Sequence, residues 1–161
     1  MNALAKQVAA ALKSAKPAER MGLANELRKA IADACDFRHP IDSVLRVPVE
    51  MVEPNDYNPN SVAPPEMQLL QLSILEDGYT QPIVTFQTDD HREVVDGFHR
   101  NRVGKECPEV KARIHGYLPV VEINDERTEK GDRIAATIRH NRARGKHKVD
   151  SMSDIVVELK R

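Results

Sequence analysis

At 161 residues and 40% hydrophobic content, the chain can bury one core without staples and has room for an accessory segment. Aromatics are 4% and tryptophan is absent, so an aliphatic core is expected, with few stacking platforms for single-stranded nucleic acid. Two isolated cysteines, Cys35 and Cys107, exclude a disulfide framework, and the lack of a long apolar run or leader pattern points to a soluble, cytoplasmic protein.

The formal charge of −1 is uninformative as a total, but its distribution is uneven: between Arg127 and Lys148 eight basic residues face only Glu129 and Asp132. Residues 2–15 are helix formers with Leu4, Val8, Leu12 and Ala15 toward one face. Pro17 is suited to the first turn of a second helix whose apolar side is Met21, Leu23, Leu27, Ala30 and Ile31. These two helices form an N-terminal hairpin that packs on the core, joins two copies or holds a partner protein. Residues 36–42 read as a linker, which places the boundary of this extension at 1–40.

Residues 44–52 read as one strand with Pro48 at an edge or bend. A turn segment follows over 53–60, where Asn55 and Asn58 either bond their own backbone or present amides to a ligand. Pro64 opens a helix through Leu75, with Met67, Leu70, Ile74 and Leu75 inward and Gly78 as its cap. Strands are predicted over 83–86 and 92–95, joined by a hairpin turn at Asp89-Asp90. A helix from Gly97 to about Lys105 comes next, then strands over 109–114 and 119–123. From residue 125 a helix runs into Arg139-His140-Asn141-Arg142, Gly145 breaks it, and a last helix over 152–159 is still rising in apolar content at Arg161. That ending suggests a chain that continues, or one that was cut.

The chemistry concentrates at Val94-Val95-Asp96-Gly97-Phe98-His99-Arg100-Asn101-Arg102. Gly97 permits a close turn, and the first amides of the following helix lack intrahelical acceptors. With His99, Arg100, Arg102 and Lys105 close by, the turn is a candidate phosphate site. The loops at 54–60 and 77–82 are placed to converge on it, and the segment from Arg139 to Arg144 to close over it. Glu53 and Asp96 are the candidate catalytic carboxylates, as base or as Mg²⁺ ligand through phosphates; either is also readable as a turn or solvated acid. The six histidines show no zinc spacing, no nucleophile elbow is present, and Phe98 leaves this loop without a thiol.

The runs Gly78-Tyr79-Thr80-Gln81-Pro82-Ile83, Asp96-Gly97-Phe98-His99-Arg100 and Ile138-Arg139-His140-Asn141-Arg142 resemble the N-terminal domain of the ParB/sulfiredoxin superfamily. With Asp150-Ser151-Met152-Ser153-Asp154-Ile155, the chain is most similar to ParB-like transcriptional co-activators of the immunoglobulin-binding regulator B (IbrB) type. The resemblance spans roughly residues 44 to 159. It implies an α+β fold, a small mixed sheet with surrounding helices, in which a strand–helix turn cradles a nucleotide's phosphates.

In ParB proteins a Gly-Glu-Arg-Arg motif does this for CTP and switches a DNA clamp. Gly97, His99, Arg100 and Arg102 stand at the matching places, with Phe98 and His99 replacing the Glu-Arg pair. Sulfiredoxins carry Gly-Cys-His-Arg, and Phe98 in place of that Cys argues against sulfinic-acid reduction. An archaeal branch with an Asp-Gly-His-His-Arg loop phosphorylates free serine, and no dedicated nuclease centre is visible.

The expectation is a nucleotide-binding regulator associated with DNA, with ATP, ADP or CTP as ligand and Mg²⁺ as its companion. The nucleotide site is assigned to Gly78, Gln81, Pro82, Asp96, Gly97, Phe98, His99, Arg100, Arg102, Arg139 and Asn141. DNA contacts are assigned to Arg142, Arg144, Lys146 and Lys148. The core is placed at 41–124 and a basic helical segment at 125–161, the start of a DNA-binding region. An NTPase or serine-type kinase using the same pocket, and a partner-docking protein with an empty pocket, are the alternatives. A homodimer is compatible with either.

Overall fold

The computed structural model describes residues 2–55, 63–123 and 135–136. Five strands form one sheet in the order β1-β5-β3-β4-β2: β1 (Leu45–Pro48), β2 (Val52–Glu53), β3 (Ile83–Gln87), β4 (Arg92–Asp96) and β5 (Tyr117–Glu122). The pairs β1–β5 and β3–β4 are antiparallel, whereas β3–β5 and β4–β2 are parallel. The mixed α+β architecture is therefore the one expected.

The expected single strand over 44–52 is corrected. Its two halves are β1 and β2, separated by a 3₁₀ turn, Val49–Met51, and they occupy opposite edges of the sheet. Four residues reach at most about 14 Å. The edges of a flat five-stranded sheet would lie about 19 Å apart. The sheet must therefore curl until its edges approach. Pro48, unable to donate to a ladder, sits where the chain leaves one edge for the other.

Inside the curl, Leu45, Val47, Val49, Val52, Ile83, Val94, Leu118 and Val120 make one aliphatic cluster. Strand alternation sends Phe86 and Val95 to the other face, where Ala136 packs on them. Three helices supply another cluster: α3 (Pro64–Asp77), α4 (Phe98–Glu106) and α5 (Pro108–Arg113) bring together Ile74, Val103, Cys107 and Val110.

The expected strand over 109–114 is also corrected, because these residues form α5 and its cap. Val110 and Ile114 satisfy a helical i, i+4 spacing as well as an alternating one, and Pro108 supplies a helix start. The strand expected at 119–123 begins earlier, at Tyr117, and Pro119 is inside it opposite Arg46.

At the N-terminus α1 (Ala3–Ser14) is capped by Asn2, whose side chain accepts from the Ala5 amide at 2.8 Å, and α2 (Pro17–Ala34) follows. The apolar side assigned to α2 does not all face the core. Leu23 and Ile31 are exposed, while Ala32 is buried and Met21 and Ala24 are half-buried. The contact that docks α2 is polar. Asn25 Nδ2 donates to the Arg46 carbonyl at 2.9 Å and its Oδ1 accepts from the Arg46 amide at 2.8 Å. One side chain thus satisfies an edge position of β1 that would otherwise be open to another strand. Both cysteines are free thiols, and no helix among the described residues is long and apolar enough to cross a membrane.

Candidate functional site

β4 ends at Asp96 and α4 begins at Phe98, with Gly97 as the N-cap at φ 91° and ψ 27°. That left-handed conformation favours glycine, and the surroundings exclude a side chain as well. A Cβ at Gly97 would stand 3.0 Å from an Arg100 terminal nitrogen and 3.3 Å from the Ile83 Cα. Glycine at the cap has no side chain with which to accept from the first amides of α4. They form a cluster of donors at the positive end of the helix dipole.

Arg100 is the residue on which the surrounding segments meet. Its guanidinium donates to Gln81 Oε1 at 3.0 Å and to the Pro82 carbonyl at 3.3 Å, and it stands 3.4 Å from Asp96 Oδ2. The loop after α3, the end of β4 and the first turn of α4 are joined there. The Arg100 and Asp96 side chains retain 14% and 6% of their accessibility, so water screens this ion pair less than a surface pair.

Phe98 packs against the aliphatic cluster inside the curl and meets the His99 ring edge-on, with centroids 5.3 Å apart. Both His99 ring nitrogens are buried without a hydrogen-bond partner among the described residues. Burial, and secondarily the nearby Arg102 charge, lowers the His99 pKa. The imidazole is therefore held neutral.

Arg102, though near His99, does not share the contacts of Arg100. Residues two positions apart on a helix point to different sides. Arg102 accordingly turns outward, its Nε 2.9 and 2.8 Å from the two carboxylate oxygens of Glu106. Gly78 stays with α3, donating its amide to the Ile74 carbonyl at 3.0 Å at a φ of 79°. Its ψ of −171° differs from a left-handed helical cap, although glycine is still the residue that accommodates it.

The two candidate carboxylates are separated. Glu53 pairs in register with Glu93, and its carboxylate lies 3.8 Å from His91 Nε2. Three residues of strand place Asp96 about 10 Å further along β4. No group of three His, Cys, Asp or Glu that could hold a metal ion occurs among the described residues. Asp96, with Arg100 at its side, remains the carboxylate at the turn.

Asn55 is buried and donates from Nδ2 to the Val94 carbonyl at 2.7 Å, tying the residues after β2 to the strand that carries Asp96. Asn58, Arg139, Asn141, Arg142, Arg144, Lys146 and Lys148 lie outside the described residues.

Two supporting residues were not singled out from sequence. Tyr79 donates its hydroxyl to the Arg100 carbonyl at 2.8 Å, and burial pushes its phenol up to about 12, so the donor proton stays in place. Gly104 provides the space. A Cβ there would collide with both the Tyr79 hydroxyl and Leu118 Cδ2. A glycine inside a helical pattern was the available signal.

A family model of the ParB N-terminal domain matches residues 38–130. An uncharacterized protein of Escherichia coli (strain K12), YbdM, is 53% identical over 143 residues, covering 88% of this chain and 67% of the relative. Among solved structures, the C-terminally truncated chromosome-partitioning protein ParB from Caulobacter crescentus, complexed with CTP-gamma-S, superposes at a TM-score of 0.51 with 21% identity. The match covers 72% of this chain and 64% of that one, so the chain spans somewhat less than two thirds of that ParB, and the likeness concerns the fold. Sulfiredoxin from Arabidopsis thaliana gives a TM-score of 0.39 at 16% identity, over 50% of this chain and 84% of that one.

Proposed function

Because the chain belongs to the ParB N-terminal domain family, we propose that it is a nucleotide-responsive regulator whose Gly97 turn holds a nucleotide's phosphates. The observation that carries this reading is the Arg100 guanidinium, fixed by Gln81, Pro82 and Asp96 beside the glycine-capped N-terminus of α4. Oriented donors and a guanidinium fork match phosphate oxygens, and a helix N-terminus adds favourable charge. The neutral His99 supplies contact there rather than charge.

That a ParB with this fold was crystallised with CTP-gamma-S makes CTP the first nucleotide to try, with ATP and ADP beside it. Mg²⁺ at this turn would rest on Asp96 and the phosphate oxygens, since Glu53 is too far along the sheet to share it. In this reading the protein is a DNA-associated, IbrB-type co-activator. Arg139 and Asn141 also contact the nucleotide, and Arg142, Arg144, Lys146 and Lys148 contact DNA phosphates.

Calorimetry with CTP, ATP and ADP tests the pocket. At least one should bind more tightly than about 1 mM, and Arg100→Ala should weaken it by about tenfold or more. Failure of all three to bind would remove the pocket from the proposal. Duplex DNA titrated at two salt concentrations tests the second half, since binding that survives Arg142→Ala plus Arg144→Ala would sink the role given to the late basic run.

A further inference from the structure

Between α2, α3, α5 and the β1–β5 edge lies a cavity of about 340 Å³ to which the Gly97 turn does not contribute. Arg28 from α2, Arg46 from β1 and Arg113 from α5 all line it, and no Asp or Glu among the described residues does. None of the three has a carboxylate partner in the ion pairs among the described residues. Their recorded side-chain bonds are to neutral groups: Arg28 to Asn25 Oδ1 at 3.4 Å, and Arg113 to the Leu75 carbonyl. Burial, which disfavours the charged form, lowers the Arg46 pKa, and the nearby Arg28 charge lowers it further.

The rest of the wall is of a different kind. Ile74, Val110 and Ile114 give it an apolar side, and Tyr79 and Tyr117 add aromatic edges. Three arginines beside an aliphatic and aromatic wall suit a negatively charged molecule with an apolar body. The volume falls within the usual range of small-molecule sites. We infer that this cavity is a second ligand site, where Arg28, Arg46 and Arg113 take the phosphate or carboxylate head of a small organic anion and the apolar wall takes its body. The site does not depend on nucleotide binding at Gly97.

The test uses the full chain with labelled isoleucine methyls, titrated with phenyl phosphate, benzoate and, as the uncharged control, benzyl alcohol. Phenyl phosphate or benzoate should shift the Ile74 and Ile114 methyls with a Kd below about 1 mM, and the two probes together show which head is preferred. Arg28→Gln and Arg113→Gln change half-buried and exposed side chains, which keeps misfolding out of the comparison. Each should weaken binding by about fivefold or more. Benzyl alcohol binding as well as the anions would overturn the inference, as would Ile74 and Ile114 signals that do not move. Weakening by Arg100→Ala but not by Arg28→Gln would assign the anion to the Gly97 turn and also overturn it.

Discussion

Gly97 shows how much of a site a single residue can decide. Its φ of 91° already disfavours any other residue, and the Ile83 Cα at 3.3 Å is backbone that cannot swing aside. The Arg100 guanidinium at 3.0 Å can move, but only by leaving Gln81 and Asp96. Gly97→Ala should therefore cost about 1–3 kcal/mol in denaturant unfolding. A loss under about 0.5 kcal/mol would mean that the turn relaxes freely, contrary to this packing. The turn itself was legible, because Asp-Gly after a β-branched pair has few other readings. The direction of Arg102 was less so. A count of cations near a helix start does not say which of them face the same side, and the spacing of 100 and 102 separates them.

At the scale of elements, the corrections share a cause. Residues 109–114 fit two periods over six positions, and they part at Ala112, which a strand would turn inward with Val110 but which is exposed on the helix. Local propensity did not distinguish one strand over 44–52 from two strands on opposite edges, because both use the same β-branched residues. The docking of α2 was hidden for a related reason. An asparagine in a helix reads as a solvated residue until a strand edge comes within reach of its amide. Asn25→Ala removes both bonds to Arg46 and leaves that edge position of β1 unsatisfied, so it should destabilise the protein by about 1–3 kcal/mol. Thermal melts check this directly. An unchanged midpoint would show that water replaces the amide at no cost.

Across the whole molecule, stability should carry a signature of the buried imidazole. The folded state lowers the His99 pKa below its ordinary 6.5, so below that pH the unfolded chain takes up a proton that the folded chain resists. Stability is then lost as pH falls from about 6.5 toward the depressed folded value, and this contribution is constant above it. In His99→Gln it disappears. The difference in unfolding free energy between wild type and variant should be flat above pH 7 and slope below 6.5. A difference that stays flat down to pH 5 would mean that the folded imidazole protonates normally.

Local patterning along the chain is enough to set which segments are apolar and which are punctuated, and hence the α+β class, the Asp96-Gly97 turn and most helix starts. These are local matters, set by glycine, proline and the period of the side chains. The curl of the sheet came only from the tertiary structure, because a three-residue 3₁₀ turn must deliver β1 and β2 to opposite edges. The partners of Arg100 and the gathering of Arg28, Arg46 and Arg113 without a carboxylate were decided in the same way. Such contacts join residues far apart in the chain, and neither periodicity nor propensity carries information about which distant groups share a volume.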